Sequence, residues 1–190
     1  DVIDGRWRRD LFKGTQLSGK TIGIVGLGRI GIQISKYAEA FNMISYYYDP
    51  NVSMPANNKI SLQRQNSLSD LFTKSDFILL SLTSNSLTLN LINRELLLLT
   101  KQNVSIVNVS RGEVIDEEVI CEMVLNKKIN FYATDVLKGE KDNSFKSNNL
   151  WKIRNNPRVL ITPHIGGACY DSMHFTEAFC QDMFLEKYYE

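Results

Sequence analysis

Apolar and polar positions follow two alternating patterns along this chain. Short runs of consecutive apolar residues, such as Phe77-Ile78-Leu79-Leu80, predict strands that are buried on both faces of a sheet. Between these runs, apolar residues recur at helical spacing, as they do from Ile32 to Phe41, and predict helices with one apolar face. The predicted strands are residues 21–25, 44–48, 77–80, 104–109, 130–136 and 159–162, and the predicted helices are residues 32–41, 67–72, 94–99, 116–126 and 172–188.

The order of these elements predicts the fold class. Strands and helices alternate throughout, and residues 51–66 predict a polar loop. The helix at 116–126 opens with Asp116, Glu117 and Glu118, which suit the positive end of a helix dipole. This alternation favours an α/β fold in which helices cover both faces of a doubly wound parallel sheet, in three layers.

A glycine-rich turn joins the first strand to the first helix. The run Gly26-Leu27-Gly28-Arg29-Ile30-Gly31 lets the backbone approach a pyrophosphate, whose charge then meets the N–H groups and dipole of the helix. Asp49 follows eighteen positions after Gly31, at the end of the second strand, where its carboxylate can accept hydrogen bonds from an adenosine ribose. The complete series of strand, glycine turn, helix, strand and acid predicts a Rossmann-type dinucleotide site, although the glycine pattern alone is weak.

Composition narrows the class of protein. The 190 residues fit one large domain, and a net charge of +1 gives no electrostatic reason to expect nucleic acid or an anionic membrane as partner. Cys121, Cys169 and Cys180 lack metal-binding spacing, so we expect free thiols in a reducing, cytoplasmic compartment and no metal site. No signal peptide is indicated, and the apolar run 96–99 is too short to span a bilayer.

Three side chains with useful chemistry follow later strands, where open α/β sheets place their ligands. Arg111 precedes Gly112, Glu140 lies in a polar loop, and His164 lies between a proline and a pair of glycines. Taken singly, each has an ordinary alternative as a solvated arginine, a surface carboxylate or a structural histidine. The second histidine, His174, lies in the last helix and is predicted to be structural or exposed.

Taken together, these three residues form a chemically coherent set. A histidine exchanges protons near neutral pH, and a neighbouring carboxylate orients it and favours its protonated form. An arginine holds a substrate carboxylate through two parallel hydrogen bonds and polarises an adjacent carbonyl. Beside a nicotinamide, such a set suits hydride transfer to a 2-keto acid.

Over nearly its whole length the chain resembles the cofactor-binding domain of the D-isomer-specific 2-hydroxyacid dehydrogenases. The similarity rests on many motifs in the same order. They are Gly5 and Trp7, the segment from Leu17 to Gly31, Tyr48-Asp49-Pro50, Ser67-Leu68-Ser69-Asp70-Leu71, Val107-Asn108-Val109-Ser110-Arg111-Gly112, Asp135-Val136 and Thr162-Pro163-His164-Ile165-Gly166-Gly167.

The resemblance implies a role for each residue of the set. Arg111 would bind the substrate carboxylate and carbonyl, and His164, paired with Glu140, would be the acid in reduction and the base in oxidation. Asp135 would contact the nicotinamide end of the cofactor, and Asp49 would favour NAD over NADP by repelling a 2′-phosphate. The implied cofactor-binding residues are Gly26, Gly28, Arg29, Ile30, Gly31, Asp49, Leu82, Thr83, Val109, Ser110, Arg111, Asp135, His164, Gly166 and Gly167.

The chain departs from the family pattern at two places. Lys141 stands where the family usually has a proline after the catalytic glutamate, and Thr83-Ser84-Asn85 replaces a Pro-Leu-Thr segment. Neither change removes a reacting group, and both bear on loop geometry.

The family also has a substrate domain, built from residues on both sides of this segment and largely missing from this sequence. We therefore expect a single NAD-binding domain with a lead-in at 1–20, a Rossmann core at 21–168 and a C-terminal helix at 169–190. Such a fragment would bind NAD yet turn over poorly. Homodimers are implied by the family, and self-association is favoured by apolar residues such as Phe175, Phe179 and Phe184.

Two kinds of function fit these residues. The first is an NAD-dependent oxidoreductase acting on a 2-hydroxy acid or its 2-keto partner, and phosphoglycerate, lactate, glyoxylate or hydroxypyruvate chemistry would all suit it. The second is a non-catalytic, corepressor-like protein that senses NAD with the same fold. A Rossmann dehydrogenase of another family is disfavoured by the Ser-Arg-Gly and His-Ile-Gly-Gly motifs.

Overall fold

The computed structural model describes residues 2–52 and 61–189, and in this part of the chain seven strands form one sheet. The strands are β1 (Thr21–Val25), β2 (Ile44–Tyr48), β3 (Leu62–Arg64), β4 (Phe77–Leu80), β5 (Val104–Asn108), β6 (Ile129–Thr134) and β7 (Val159–Ile161). All neighbours pair in parallel, in the order β3-β2-β1-β4-β5-β6-β7. The predicted doubly wound, Rossmann-type sheet is confirmed, and its order reverses between β1 and β4, where such sheets bind ligands.

Helices flank this sheet. They are α1 (Arg29–Ala40), α2 (Leu68–Lys74), α3 (Arg94–Leu98), α4 (Glu117–Leu125), α5 (Asn149–Lys152) and α6 (Tyr170–Tyr189), with short 3-10 helices at Arg9–Phe12, Gly112–Val114 and Ser144–Ser147. Several of them begin at a capping side chain. Ser67 accepts a hydrogen bond from the N–H of Asp70 at the start of α2, and Asp116 accepts one from Val119 at the start of α4.

Two apolar clusters hold the helices against the sheet. The larger one joins the sheet to α2, α3, α4 and α5, and it includes Leu71, Ile106 and Ile120. The smaller one, with Ile24 and Ala38, lies on the opposite face under α1. Every residue of β1 is buried because helices cover this central strand on both faces.

In the described part of the chain, one strand and one α-helix are not predicted by the apolar pattern. β3 lies within the predicted loop 51–66, of which residues 53–60 fall outside the described part of the chain. This strand is short and mostly exposed, and it forms by parallel pairing of Leu62 with Ser45 of β2. The four-residue helix α5 forms around the buried Leu150. Both elements depend on distant partners and leave little trace in the local pattern.

The predicted elements differ from the observed ones mainly at their ends. α1 begins at Arg29 and not at Ile32, and β5 ends one residue before Val109. β6 covers Ile129–Thr134 where residues 130–136 were expected, and α6 begins at Tyr170 where Ser172 was expected.

α6 is exposed along most of its length. Phe175, Phe179 and Phe184 are 75%, 62% and 55% exposed. Among the helices of the described residues, none is both long enough and apolar enough to span a membrane.

Candidate active site

The glycine turn after β1 packs too closely for side chains. Gly26 has φ of +89°, and a Cβ there would lie 2.9 Å from the carbonyl oxygen of Ser81. A Cβ on Gly31 would lie 2.4 Å from the carbonyl oxygen of Gly26, which also accepts a hydrogen bond of 2.8 Å from Ser81 Oγ. By contrast, a Cβ on Gly28 would meet nothing within 4 Å. Two glycines therefore close the turn, and the third leaves an open approach to the backbone.

The start of α1 faces this open approach. No side-chain hydrogen bond caps the helix at Gly28, and its first turn carries no acidic residue. The N–H groups of Arg29 and Ile30 therefore offer donors at the positive end of the helix dipole. A cavity of about 430 Å³ lies beside the turn, at the carboxyl ends of β1, β2 and β4. This arrangement fits a pyrophosphate.

Asp49 braces the glycine turn from the end of β2. Its Oδ2 accepts a hydrogen bond of 2.8 Å from the N–H of Leu27. Its Oδ1 accepts hydrogen bonds of 2.8 Å and 3.1 Å from the N–H groups of Asn51 and Val52. A carboxylate has further lone pairs for a ribose diol, so the bracing role and the predicted cofactor role are compatible.

His164 and Glu140 meet at the other half of the sheet. His164 Nδ1 lies 2.7 Å from Glu140 Oε1, and the second carboxylate oxygen accepts a hydrogen bond of 3.1 Å from the N–H of Leu137. The backbone of His164 has φ of +55°, a conformation uncommon for a residue with a side chain. With Nδ1 engaged by a carboxylate, Nε2 is the ring nitrogen left to face a ligand.

Asp135 anchors the loop that carries this histidine. Its Oδ1 accepts hydrogen bonds from Thr162 Oγ1 at 2.5 Å and from the N–H of Ile165 at 2.9 Å, and its Oδ2 accepts one of 2.8 Å from Gly166. Burial raises the pKa of Asp135, but these hydrogen bonds and the nearby His164 outweigh it and bring the pKa below its usual value. The sequence predicted a nicotinamide contact for Asp135 but not this anchoring role.

The loop around Arg111 is held by a buried asparagine. Asn108 Oδ1 accepts hydrogen bonds of 3.0 Å and 2.6 Å from the N–H and hydroxyl of Ser110. Asn108 Nδ2 donates one of 3.1 Å to the carbonyl oxygen of Arg111. The guanidinium, on an exposed residue, donates to the Ser110 carbonyl oxygen at 2.6 Å. Asn108 is a positioning residue that the sequence did not reveal, although it lies within the motif at residues 107–112.

His164 and Arg111 each line a cavity together with Glu140. A cavity of about 570 Å³ is lined by Glu140, His164 and Asp135, with Phe145 and Trp151 on its apolar side. A second cavity of about 530 Å³ is lined by Glu140 and Arg111 together with Ser84, Glu113, Gly139, Lys141 and Asp142. Glu140 therefore lines both cavities, one with His164 and the other with Arg111.

The predicted cofactor residues divide between these regions. Gly26, Gly28, Asp49, Leu82 and Thr83 line the cavity at the glycine turn, and Asp135, His164 and Arg111 line the other two. Of the remaining ones, Arg29, Ile30 and Gly31 open α1, Val109 and Ser110 follow β5, and Gly166 and Gly167 follow His164.

The cysteines and metal-ligating side chains add no further centre to this site. Cys121 is buried, Cys169 and Cys180 are exposed, and all three are free thiols as predicted. Across residues 2–52 and 61–189, no group of three or more His, Cys, Asp or Glu side chains is placed to hold a metal ion.

Comparison with known families decides the identity of this fold. Residues 1–166 match the family model described as D-isomer specific 2-hydroxyacid dehydrogenase, NAD binding domain. The chain belongs to this family. The matched part is the family's NAD-binding domain, so NAD is the cofactor of this fold, as the sequence predicted.

Individual relatives of the family cover most of this chain. D-3-phosphoglycerate dehydrogenase of Methanocaldococcus jannaschii is 38% identical over 164 residues, which are 86% of this chain and 30% of that protein. Hydroxypyruvate reductase of Thermotoga maritima is 37% identical over 168 residues, which are 87% of this chain and 52% of that protein. The apo structure of D-lactate dehydrogenase from Escherichia coli matches with a TM-score of 0.83 at 26% identity, covering 100% of this chain and 58% of that one. The chain therefore spans 30% to 58% of the length of these dehydrogenases and reductases.

Proposed function

We propose that the protein carrying this chain is an NAD-dependent dehydrogenase that interconverts D-2-hydroxy acids and 2-keto acids. The observation that best supports this function is the 2.7 Å contact between His164 Nδ1 and Glu140 Oε1. Arg111 shares a cavity with Glu140, so an acid–base group and an anion-binding group border one region. We also propose that the chain is one NAD-binding domain and that residues outside it supply the substrate side of the cleft.

The glycine turn and its neighbours suit the cofactor. The open space at Gly28 and the uncapped start of α1 let Arg29 and Ile30 bind the pyrophosphate through their N–H groups. Asp49 binds the adenosine ribose and selects NAD over NADP, because its charge repels a 2′-phosphate. The residues that border the nicotinamide are Leu82, Thr83, Val109, Ser110, Asp135, Gly166 and Gly167.

The reaction divides between three side chains. Arg111 binds the substrate carboxylate through paired hydrogen bonds and polarises the neighbouring C2 carbonyl. When bound, the cofactor supplies or accepts the hydride at C2. During reduction His164 donates a proton from Nε2 to the carbonyl oxygen, and during oxidation it removes that proton. Glu140 orients the ring and keeps a proton on Nδ1, because its carboxylate can only accept there.

This proposal is tested in the full-length protein, by following NADH consumption with a panel that contains pyruvate, glyoxylate and hydroxypyruvate. His164→Gln should lower kcat by about 10²- to 10⁴-fold, the usual contribution of a general acid. His174→Gln is the matched control, because this second histidine is exposed in α6 and lines none of the three cavities described above. Equal turnover by both variants would refute the assignment of His164. NADH binding without turnover of any acid would support a non-catalytic NAD sensor.

A further inference from the structure

Glu117, at the start of α4, has a buried carboxylate that the mechanism above does not use. Its residue is only 6% exposed. Glu117 Oε1 accepts a hydrogen bond of 2.8 Å from the N–H of Lys138, and Oε2 accepts one of 3.1 Å from Asn148 Nδ2. Asn148 Nδ2 also donates to the carbonyl oxygen of Lys138 at 3.0 Å. Glu117 and Asn148 together bind both polar groups of Lys138's backbone, and we call them the Lys138 clamp.

The clamped residue belongs to the turn that carries Glu140. The N–H of Leu137 donates to Glu140 Oε2 at 3.1 Å, and the N–H of Glu140 donates back to the carbonyl oxygen of Leu137 at 3.3 Å. Lys138 lies inside this closed turn, so its position determines where the Glu140 carboxylate lies. The other oxygen of that carboxylate is the one that contacts His164.

The same peptide also contacts the loop of Arg111 from another side. A Cβ on Gly112 would lie 2.1 Å from the backbone nitrogen of Lys138 and 2.3 Å from the carbonyl carbon of Leu137. The backbone after Arg111 therefore packs directly against the turn that carries Glu140. Moving Lys138 would change the placement of Glu140 relative to both Arg111 and His164.

The clamp requires two oxygen acceptors on one side chain, which a carboxyl group supplies. Two N–H donors, from Lys138 and Asn148, converge on it, and a carboxylate accepts from both. A glutamine would present one oxygen and one NH₂ group, so one donor would face another donor. Burying a carboxylate costs stability, whereas an apolar residue at the start of this helix would not.

The structure also separates Glu117 from the two acids beside it. Asp116 caps α4 by accepting a hydrogen bond of 3.2 Å from the N–H of Val119. Glu118 is exposed. Only the middle acid of the three reaches the loop of Lys138.

Resting on the proposed function, we propose that Glu117 is a positioning residue that, with Asn148, holds the Glu140 turn against the Arg111 loop and so aligns the His164–Glu140 pair. Glu117 touches neither substrate nor cofactor and acts through Lys138. Its loss therefore affects proton transfer and leaves cofactor binding intact.

The test compares Glu117→Ala, Glu117→Gln and Asn148→Ala in the full-length protein. Glu117→Ala should lower kcat by about 10- to 100-fold, the range expected when a reacting group is misplaced by about 1 Å, with the Kd for NADH unchanged. Glu117→Gln should fall between the wild type and Glu117→Ala, since its amide oxygen still accepts from Lys138.

Asp116→Ala is the matched control. It removes the cap of the same helix but no contact with Lys138, so it should lower stability while keeping the kcat of the wild type. Hydrogen exchange at the Lys138 amide gives a readout independent of activity, and it should accelerate in Glu117→Ala but not in Asp116→Ala. Should Glu117→Ala fail to fold, Asn148→Ala tests the same clamp from its other side.

The outcomes distinguish the two proposals. If the wild type turns over a 2-keto acid while Glu117→Ala and Asn148→Ala keep its kcat, the clamp is wrong and the enzyme function stands. A loss in Asp116→Ala as large as that in Glu117→Ala also overturns the clamp, because helix stability then explains both. If the wild type turns over no 2-keto acid, the proposed function fails and the clamp has no catalytic meaning.

Discussion

The buried Glu117 predicts an unusual dependence of stability on pH. Burial raises the pKa of Glu117 to about 7 from an ordinary value of 4.5, although hydrogen bonds from Lys138 and Asn148 act in the opposite direction. The folded protein therefore holds this proton more tightly than the unfolded chain does. Between these two pKa values the native state binds more protons, so the free energy of unfolding falls as the pH rises.

The size of this effect follows from the difference between the two pKa values. A shift from 4.5 to about 7 corresponds to about 3 kcal/mol, at about 1.4 kcal/mol for each pKa unit. The stability that this proton adds is fully present below 4.5, the pKa in the unfolded chain, and it is lost as the pH rises through about 7. A typical domain has about 5–15 kcal/mol of stability, so the loss is a large fraction.

Urea unfolding of the wild type and Glu117→Gln, at a series of pH values from about 4 to about 8, measures the effect. Fluorescence of Trp151 reports on this region, because its ring packs edge-to-face on Phe145 with centroids 4.9 Å apart. Glu117→Gln loses its bond to Asn148 at every pH, which gives a constant offset, and only the slope carries the titration. Glu118→Gln, with an exposed side chain on the same turn, controls for removing one negative charge. A difference between wild type and Glu117→Gln that stays flat across this range would refute the argument.

Four further substitutions test the glycine turn and the loop of His164. Gly31→Ala should lower stability by about 1–3 kcal/mol in thermal unfolding, because its Cβ would lie 2.4 Å from a carbonyl oxygen. Gly28→Ala should keep the stability of the wild type and weaken NADH binding. Loss of stability in both variants would contradict this division. Asp49→Asn should bring the Kd for NADPH closer to the Kd for NADH in a calorimetric titration. An unchanged ratio of the two Kd values would argue against the role of Asp49 in selecting NAD. Thr162→Val removes a donor to Asp135, raises the lowered pKa of that carboxyl and should cost about 1–2 kcal/mol at neutral pH. The lowered pKa of Asp135 stabilises the folded state at pH values above the pKa of the unfolded chain, and this stabilisation is lost as the pH falls through the lowered pKa. The cost of Thr162→Val should therefore shrink when unfolding is measured at acid pH. A cost independent of pH would count against the argument.

The sequence predicts the central fold well because its signals are local. β1 is a run of five residues that are all buried, and β4 is nearly so, and such runs need no distant partner to be recognised. The glycine turn is equally local, since the positive φ of Gly26 and the close approach at Gly31 exclude side chains at those positions. These features predict the position of a candidate cofactor cleft before any tertiary contact is known.

Elements that depend on distant chain segments escape the same reasoning. β3 is exposed and polar, and it exists because its backbone pairs with β2. For the catalytic candidates, the resemblance implied that Glu140 and His164 form a pair, but they are 24 residues apart. Their 2.7 Å contact depends on the positive φ of His164 and on the hydrogen bonds of Asp135 to the loop around it.

The three acids at the start of α4 separate what sequence and structure each decide. The sequence by itself determines that Asp116, Glu117 and Glu118 suit the positive end of a helix, because that interaction lies within one turn. Only the tertiary structure decides that Glu117 binds the backbone of Lys138, 21 residues away. Side-chain chemistry and local sterics act over a few residues and are legible in sequence. A hydrogen bond between distant segments depends on the path of the whole chain, which must fold before donor and acceptor can meet.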